Sequence, residues 1–396
     1  MRYNIQENSL FNVQNVAPAI NNTVQLMNVG DEAYLDWGQY TILDTLLIMN
    51  TARLKYCTIT LQGEYTYTGS PAAIRIKGDF LNFRLDCLTS NIASDVYNQP
   101  RPGGVVIEDC NYSNLDFGEV QGMDYGIRLM PTASNTGLCY NKISFDRLAY
   151  CYIPLHFKME TGVVGWVNEN QIYGGRVKGY YGLVSHKGNA QVDEYNNNTF
   201  YNVSFESIEQ DAINVQFCSF NSFYSPRFES VNGKDIYENA DCKNNKYYIS
   251  VAIPIEKVEI HSPYTLVSAP LHNTYWENEF RTLVTDYDAQ CSYEYYRELY
   301  VEAFNTYKVL PNNCRTVAVK TNTAAVTLEI RPQSVYENNG FYLYTLAYTN
   351  TITIKTDAQT TVIPANIIKN GSYRVFYAGG KWKVMPLSQS TIYSQP

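Results

Sequence analysis

The chain has 396 residues, a formal net charge of −8 and only 17% charged side chains. This acidic balance argues against a nucleic-acid partner, because phosphate binding requires a basic stripe. The nine cysteines include no CxxC pair, so the sequence signals neither a disulfide framework nor a zinc site. No segment approaches the ~18 apolar residues of a membrane span, so membrane insertion is not expected. The 36 tyrosines are the compositional outlier and suit a half-exposed β-surface.

The chain begins with a weakly patterned segment. Residues 1–30 are polar and rich in asparagine, and we predict a short attachment or capping segment there. From residue 31 the sequence contains short β-rich runs, including Leu54–Leu61, Ala73–Ile76 and Phe83–Leu88. Glycine and proline residues separate these runs, as turns between strands require.

A repeating phrase marks the middle of the chain. Its first position is occupied by Ser113, Asn141, Asn170, Asn198, Asn221 and Asn245. Successive differences between these positions are 28, 29, 28, 23 and 24 residues. A period in this range indicates stacked supersecondary units. We predict an all-β fold in which residues 31–285 form a right-handed parallel β-helix. Its coils stack at about 4.8 Å, so asparagines at one bend can pass amide hydrogen bonds along the stack.

The pattern changes towards the C-terminus. We predict a connector over residues 286–315. Beyond it, runs such as Thr316–Lys320, Phe341–Leu346 and Tyr373–Tyr377 alternate with period two. Alternation means that each strand has one solvent-exposed face. Residues 316–396 are therefore predicted to form a small antiparallel β-sandwich-like domain.

Several of these phrases also resemble a known family. Gly165–Val177, Asn221–Glu229 and Thr66–Ile76 resemble segments of bacteriophage tail spikes and tail fibres of the pectate-lyase-like β-helix group. The resemblance covers roughly residues 40–260. It implies a homotrimer on the virion, made in the cytoplasm of the bacterial host and joined to other virion structural proteins. It also implies a bacterial surface glycan as the target.

Alignment of the coils predicts an external stripe of tyrosines. Tyr173, Tyr201, Tyr224 and Tyr248 each follow a position that we expect to face inward. Neighbouring strand residues point to opposite faces, so the tyrosines should lie outside. Such a stripe can be a platform for sugar rings, with Arg176 and Arg227 as further glycan-binding residues. The alternatives are an interface with neighbouring protomers, or aromatic packing that only stabilises the sheet.

Two acidic residues occupy the same place on adjacent coils. Glu206 and Glu229 should have backbones about 4.8 Å apart. When two carboxylates lie so near each other, their repulsion raises the pKa of one of them. The general acid of a glycoside hydrolase requires such a raised pKa. The alternative is a structural charge ladder with Arg176, Arg227 and Lys178. A calcium-dependent lyase would need three or more acids in one column, and none is present, so no metal or cofactor is predicted.

These observations leave three hypotheses. The first is a phage spike or fibre that adheres to bacterial surface polysaccharide. The second is a depolymerase on the same scaffold, which uses Glu206 and Glu229. The third is a purely structural virion fibre. Adhesion needs only the stripe and the loops, whereas hydrolysis also needs two acids facing one cleft.

Overall fold

The computed structural model describes residues 1–49, 53–92, 95–160, 162–186, 194–251, 253, 257–262, 265–268, 298–302, 307–310, 316–320, 326–330, 341–346, 351–355, 360–363, 371–378, 381–387 and 393–394. Its contacts divide the chain into two units, the first mainly Met1–Ser250 and the second mainly Ser292–Pro396. The end of the predicted β-helix, residues 269–285, lies outside the described residues. So do residues 286–297, 303–306 and 311–315 of the predicted connector.

The described residues of the first unit form one α-helix, α1 (Ala17–Leu26), a 3₁₀ turn at Ile5–Glu7 and many short strands. In chain order the strands are β1 (Arg2–Asn4), β2 (Glu32–Leu35), β3 (Gln39–Ile42), β4 (Leu46–Met49), β5 (Thr58–Tyr67), β6 (Ala72–Lys77), β7 (Asn82–Ser90), β8 (Gly103–Ile107), β9 (Asn114–Gln121), β10 (Tyr125–Leu129), β11 (Gly137–Cys139), β12 (Lys142–Cys151), β13 (Ile153–Phe157), β14 (Trp166–Asn168), β15 (Gln171–Tyr173), β16 (Arg176–Gly179), β17 (Leu183–Ser185), β18 (Tyr195–Asn196), β19 (Thr199–Tyr201), β20 (Ser204–Ile208), β21 (Ile213–Val215), β22 (Cys218–Ser219), β23 (Ser222–Tyr224), β24 (Arg227–Val231), β25 (Ile236–Glu238), β26 (Lys246–Tyr248) and β27 (Val258–Ile260).

These strands form three parallel sheets. The long sheet runs β1-β2-β5-β7-β9-β12-β15-β19-β23-β26, and β3, β16, β20 and β24 pair beside this path. A nine-stranded sheet runs from β4 to β27, and a four-stranded sheet runs β11-β14-β18-β22. One coil of the phrase, residues 198–220, contributes β19 and β20 to the first sheet, β21 to the second and β22 to the third. The predicted parallel β-helix is confirmed.

The asparagines of the phrase form a buried hydrogen-bonded ladder inside the coils. In this asparagine ladder, each of the first four side chains donates to the Oδ1 atom of the next, at 2.8–3.1 Å. The same Nδ2 group also donates to a backbone carbonyl of the preceding coil, as from Asn198 to Val167 at 2.7 Å. The backbone N–H of Asn170 donates to the Asn198 Oδ1 atom at 3.1 Å. All ladder residues are at most 2% exposed, so their amides are desolvated and satisfied by each other.

Helix α1 packs against the first strand of the nine-stranded sheet. The Asn21 side chain accepts from the Leu47 N–H at 2.7 Å and donates to the Thr45 carbonyl at 3.0 Å. The Gln25 side chain donates to the Met49 carbonyl at 3.1 Å. Side-chain amides of the helix therefore hydrogen-bond the backbone groups of β4 that no further strand pairs with.

The described residues of the second unit include the short strand β28 (Leu266–Ser268), which belongs to neither of the two smaller sheets found there. The strands of these two sheets are β29 (Glu298–Glu302), β30 (Tyr307–Leu310), β31 (Thr316–Lys320), β32 (Val326–Ile330), β33 (Phe341–Leu346), β34 (Ile352–Lys355), β35 (Thr360–Ile363), β36 (Gly371–Ala378), β37 (Lys381–Pro386) and β38 (Tyr393–Ser394). One sheet runs β29-β31-β33-β36-β37-β38 and the other β30-β32-β34-β35. Strands β29 and β30 lie in the range predicted as a connector.

The predicted antiparallel pairing of the C-terminal region is present in both sheets. It joins β33 to β36, β36 to β37, β37 to β38, and β34 to β35. The earlier strands of each sheet, from β29 to β34, pair in parallel instead. The period-two alternation did not indicate this difference, because alternation reports one buried face of a strand and not its direction.

Candidate functional site

The four predicted tyrosines lie in one column on the outside of the long sheet. Tyr173, Tyr201, Tyr224 and Tyr248 are register partners on successive strands from β15 to β26. Their neighbours in sequence, such as Phe200 and Phe223, are buried in the coil interior. Ring centroids in this tyrosine column are 4.8, 5.4 and 5.0 Å apart, with interplanar angles of 13°, 12° and 8°.

Stacking decides which part of each tyrosine a ligand can reach. The rings of Tyr201 and Tyr224 are covered on both faces by their neighbours in the column. The Lys142 ammonium lies over the Tyr173 ring, 5.1 Å from its centroid. The column therefore offers ring edges and hydroxyl groups rather than free ring faces. A sugar would contact it through hydrogen bonds and edges, and not by stacking flat on each ring.

The predicted acidic pair lies in register beside this column. Glu206 and Glu229 are partners on β20 and β24. Each carboxylate has an arginine partner: Arg176 Nε lies 3.5 Å from Glu206, and Arg227 Nη2 lies 2.7 Å from Glu229. The Ser204 hydroxyl also donates to Glu206 at 2.8 Å. The structure thus brings both glutamates and both arginines together, in the arrangement of a charge ladder.

A second aromatic column, which the sequence analysis missed, lies at a bend of earlier coils. Tyr56, Phe80, Tyr112 and Tyr140 stack with centroids 4.9, 5.1 and 5.0 Å apart, and we call them the bend column. Tyr56, Tyr112 and Tyr140 are 61%, 52% and 52% exposed. The neighbouring Glu169 carboxylate raises the pKa of Tyr140 to about 12.

The backbone of the bend column is strained. All four residues have φ between 54° and 61°, a region that bulky side chains rarely adopt. The same bend position holds Asn197 and Asn244 in later coils, also at positive φ. Asparagine tolerates this conformation better, so the bend itself does not require aromatic side chains. Glu169 and Phe220 occupy the same bend position with φ of 58° and 57°, so positive φ belongs to the coil geometry at this bend.

A loop after β7 forms a further feature that sequence reasoning did not identify. Its described residues, 91–92 and 95–102, reach across to coils far along the chain. Three contacts anchor it: Asp95 with Lys178 at 3.2 Å, the Tyr97 ring with Tyr180 at 5.7 Å, and the Arg101 guanidinium with the Tyr150 carbonyl. Next to the loop is an open cleft of about 370 Å³, lined by residues 67–70, 90–92 and 100–102.

The described residues contain no group of three or more His, Cys, Asp or Glu side chains placed to hold a metal ion. Seven cysteines occur in the described part of the chain, and all are free thiols. Within that part, no helix has the length and apolar character needed to span a membrane.

Comparisons with known proteins find likenesses in structure only. No family model matches the sequence, and no curated protein matches it. PfbA, a surface adhesin of Streptococcus pneumoniae, is 9% identical with a TM-score of 0.47, and the match covers 97% of this chain and 98% of that chain. ORF18 of Geobacillus virus E2 is 9% identical with a TM-score of 0.40, covering 96% of this chain and 68% of that chain. Likenesses at this level do not inform function, which has to be argued from the residues.

Proposed function

We propose that this protein is a phage spike or fibre that adheres to bacterial surface polysaccharide. The observation that carries the proposal is the pair of partly exposed aromatic columns on the β-helix, each spanning four successive coils. Tyrosine edges combine an apolar contact surface with a hydroxyl that both donates and accepts hydrogen bonds. Arg176 and Arg227 stand beside the tyrosine column as additional donors.

Repetition favours a polymeric ligand. Aromatic rings recur on every coil of each column, so one polysaccharide chain can engage several coils through its own repeating units. Linked weak contacts of this kind raise the overall affinity far above that of each contact alone. A monomeric ligand would gain nothing from the repetition.

The virion location and the homotrimer belong to the same proposal. Their support is the resemblance of the coil phrases to phage tail spikes and fibres. A solenoid also offers long faces that closed rotational symmetry can bury equally on every copy. Mass measurement of the purified full chain tests this point, and a stable monomer at micromolar concentration would contradict it.

A second candidate function is polysaccharide hydrolysis by Glu206 and Glu229. The register of the two residues on adjacent strands favours it, because it brings two carboxylates close together. The ion pairs with Arg176 and Arg227 oppose it, since each carboxylate is already engaged by an arginine. We therefore rank adhesion above hydrolysis.

The decisive experiment measures binding and cleavage on the same samples. Purified protein is incubated with capsular or lipopolysaccharide preparations from candidate host strains, and bound protein and glycan chain length are both recorded. Tyr224→Ser, which alters the most exposed ring of the tyrosine column, should weaken binding about tenfold. Tyr237→Ser is the matched control, because Tyr237 lies in the same coil on the nine-stranded sheet.

The outcomes separate the hypotheses. Binding without shortening of the glycan supports adhesion. Shortening that is lost in Glu206→Gln and Glu229→Gln supports hydrolysis. Equal binding by the Tyr224→Ser and Tyr237→Ser variants would exclude the tyrosine column as the binding surface. Absence of any binding to every host preparation would favour a purely structural fibre.

A further inference from the structure

Two histidine side chains are in contact on the outer face of the nine-stranded sheet. On β13, His156 alternates with Leu155 and Phe157, whose side chains lie in the coil core. The His156 Nε2 atom lies 2.7 Å from the Nδ1 atom of His186, which directly follows β17. The His156 Nδ1 atom accepts from the Arg128 Nε–H group on β10 at 2.9 Å. We call Arg128, His156 and His186 the histidine chain, and it links side chains of three successive coils.

Hydrogen-bonding chemistry fixes the position of each proton in the histidine chain. An arginine N–H group can only donate, so the His156 Nδ1 atom carries no proton. The proton of a neutral His156 is therefore on Nε2, from which it is donated to the His186 Nδ1 atom. His186 then carries its own proton on Nε2. Both rings are neutral in this arrangement.

A further proton has no place in the histidine chain. The two nitrogens without a proton are the Nδ1 atoms of His156 and His186, and both already accept a hydrogen bond. Protonation of either atom removes that bond and adds a positive charge to a group that contains Arg128. The chain can therefore exist only while both histidines are neutral.

The surroundings of the two rings also disfavour positive charge. His156 is 3% exposed. Burial lowers its pKa well below the ordinary value, and the charges of Arg128, His186 and Lys158 act in the same direction. Burial likewise lowers the pKa of His186, followed by the charges of Lys158 and Arg128. The register partner of His156 on β17 is the uncharged Val184.

Acidic groups near this face are engaged by arginines. The Asp124 carboxylate lies 3.7 Å from the Arg128 guanidinium. On the neighbouring coils, Glu108 accepts from Arg75 at 2.9 Å. The exposed Glu160, after β13, also acts on Arg75. Neither histidine has a carboxylate among the charged groups that shift its pKa.

The same geometry argues against a metal site. A histidine that binds a metal usually donates its second ring N–H to an acceptor. The second nitrogen of His156 accepts from a cation instead. Proton binding is therefore the chemistry that this pair of rings supports.

His186 is placed to respond to the pH of the solvent. It is exposed, whereas His156 is buried. Its backbone is held on both sides, since its N–H donates to the Phe157 carbonyl at 3.1 Å and its carbonyl accepts from the Tyr195 hydroxyl at 2.8 Å. The ring can thus take up a proton and turn away from His156 while the backbone stays in place.

We propose that the histidine chain is a pH-sensitive latch, which joins the outer surfaces of three coils at neutral pH and opens when His186 is protonated. A free histidine takes up a proton below about pH 6.5, whereas the latched rings do not. Stability is therefore complete above about pH 6.5 and is lost as the pH falls towards the lowered pKa values. The inference does not depend on the proposed adhesive function.

The test compares two variants of the full chain. His186→Asn keeps an oxygen that can accept from His156 but cannot be protonated. His261→Asn is the matched control, because His261 follows β27 of the same sheet and its Nε2 atom lies 2.9 Å from the Glu259 carboxylate. A proton on His261 therefore meets an opposite charge. Urea denaturation from pH 7.5 to 5.5 gives the number of protons taken up on unfolding.

We expect the natural protein to take up about one proton more on unfolding near pH 6 than His186→Asn does. Its unfolding constant should accordingly rise by up to about tenfold more per pH unit. The stabilities of the two proteins should run parallel above about pH 7, where free histidine is neutral. His261→Asn should not reduce the proton uptake.

NMR of protein labelled with ¹³C and ¹⁵N in histidine supplies a second measurement on the natural protein itself. The signal lost in His186→Asn identifies His186, and its titration midpoint should lie below about pH 6.5. The ¹⁵N shifts of His156 should show a proton on Nε2 and none on Nδ1. Equal proton uptake by the natural protein and His186→Asn would overturn the inference. So would a His186 midpoint at or above about pH 6.5, or a proton on the His156 Nδ1 atom at neutral pH.

Discussion

The asparagine ladder and the tyrosine column are built by the same coils and differ in what surrounds them. Both place one residue type in register on successive coils. Inside, the ladder amides are at most 2% exposed and hydrogen-bond one another. Outside, the tyrosine rings stack but keep their edges accessible, with Tyr224 40% exposed. The comparison teaches that repetition stabilises the fold where it is buried and creates a repeated contact surface where it is exposed.

The largest expected effect is on the buried side of this comparison. Asn198→Asp keeps the side-chain shape but replaces the Nδ2 donor by an oxygen, which then faces the Val167 carbonyl and the Asn221 Oδ1 atom. We expect a loss of roughly 3–5 kcal/mol in the free energy of unfolding, measured by urea denaturation. Asn197→Asp is the control, because Asn197 is exposed at the adjacent position and should cost less than about 0.5 kcal/mol. Equal costs would contradict the ladder's role.

The next effect concerns a buried acid of a later coil. Glu238 is fully buried and accepts from Tyr247 and Thr265 at 2.8 and 2.6 Å. Burial raises its pKa above the ordinary value. The folded state therefore holds the proton more tightly, so this contribution to stability is complete below about pH 4 and is lost as the pH rises through the raised pKa. Glu238→Gln stays neutral, and the stability difference in its favour, measured by urea denaturation, should grow as the pH rises from 4 to 8.

Glu259→Gln is the control for this pH series. Hydrogen bonds from His261 and Lys234 lower the pKa of Glu259, which is the opposite sign. Its contribution is present above its ordinary pKa and is lost as the pH falls, so the natural protein should be favoured towards neutral pH in this pair. If the stability difference from the natural protein changed in the same direction with pH for both variants, the opposite pKa shifts of Glu238 and Glu259 would be contradicted.

A smaller effect is expected on the exposed side. Tyr201→Ala removes the ring that lies between Tyr173 and Tyr224. Loss of two stacking contacts should lower the free energy of unfolding by about 1–2 kcal/mol. Tyr201→Phe keeps both contacts and should be nearly neutral. A cost for Tyr201→Ala as large as that for Asn198→Asp would erase the distinction between the tyrosine column and the asparagine ladder.

The smallest effect is expected for the acidic pair. Glu229 is 53% exposed and its partner Arg227 is 60% exposed. An exposed ion pair contributes at most about 1 kcal/mol, so Glu229→Gln should change thermal stability little. High salt should reduce even this difference. A large destabilisation would mean that the charge ladder is a main support of the sheet.

Features that recur inside the phrase could be predicted from the sequence. Asn170 and Asn198 occupy the same phrase position, and so do Tyr173 and Tyr201. Parallel pairing in register turns equal positions into spatial neighbours. The asparagine ladder and the tyrosine column therefore both follow from the spacing alone. The faces of the stacked rings could not be judged in this way, because the approach of Lys142 to Tyr173 depends on side-chain conformation.

The missed features lie outside the phrase. The bend column precedes its first position by one residue: Tyr112 stands before Ser113, and Tyr140 before Asn141. An alignment extended by one residue would have shown Tyr112 and Tyr140, but neither their positive φ nor Tyr56 and Phe80, which precede the first phrase. The cleft has no periodic signal at all. Its loop contacts Lys178 from Asp95, a separation of 83 residues, and no repeat relates the two.

The amide contacts between α1 and β4 have a consequence for assembly. The unpaired edge of a sheet is a template on which another chain can add a strand, and exposed edges lead to aggregation. Asn21 and Gln25 already occupy backbone groups along the edge of β4. An extended segment of a foreign chain would have to displace these side chains before it could pair there. The nine-stranded sheet is thereby closed to growth at this strand.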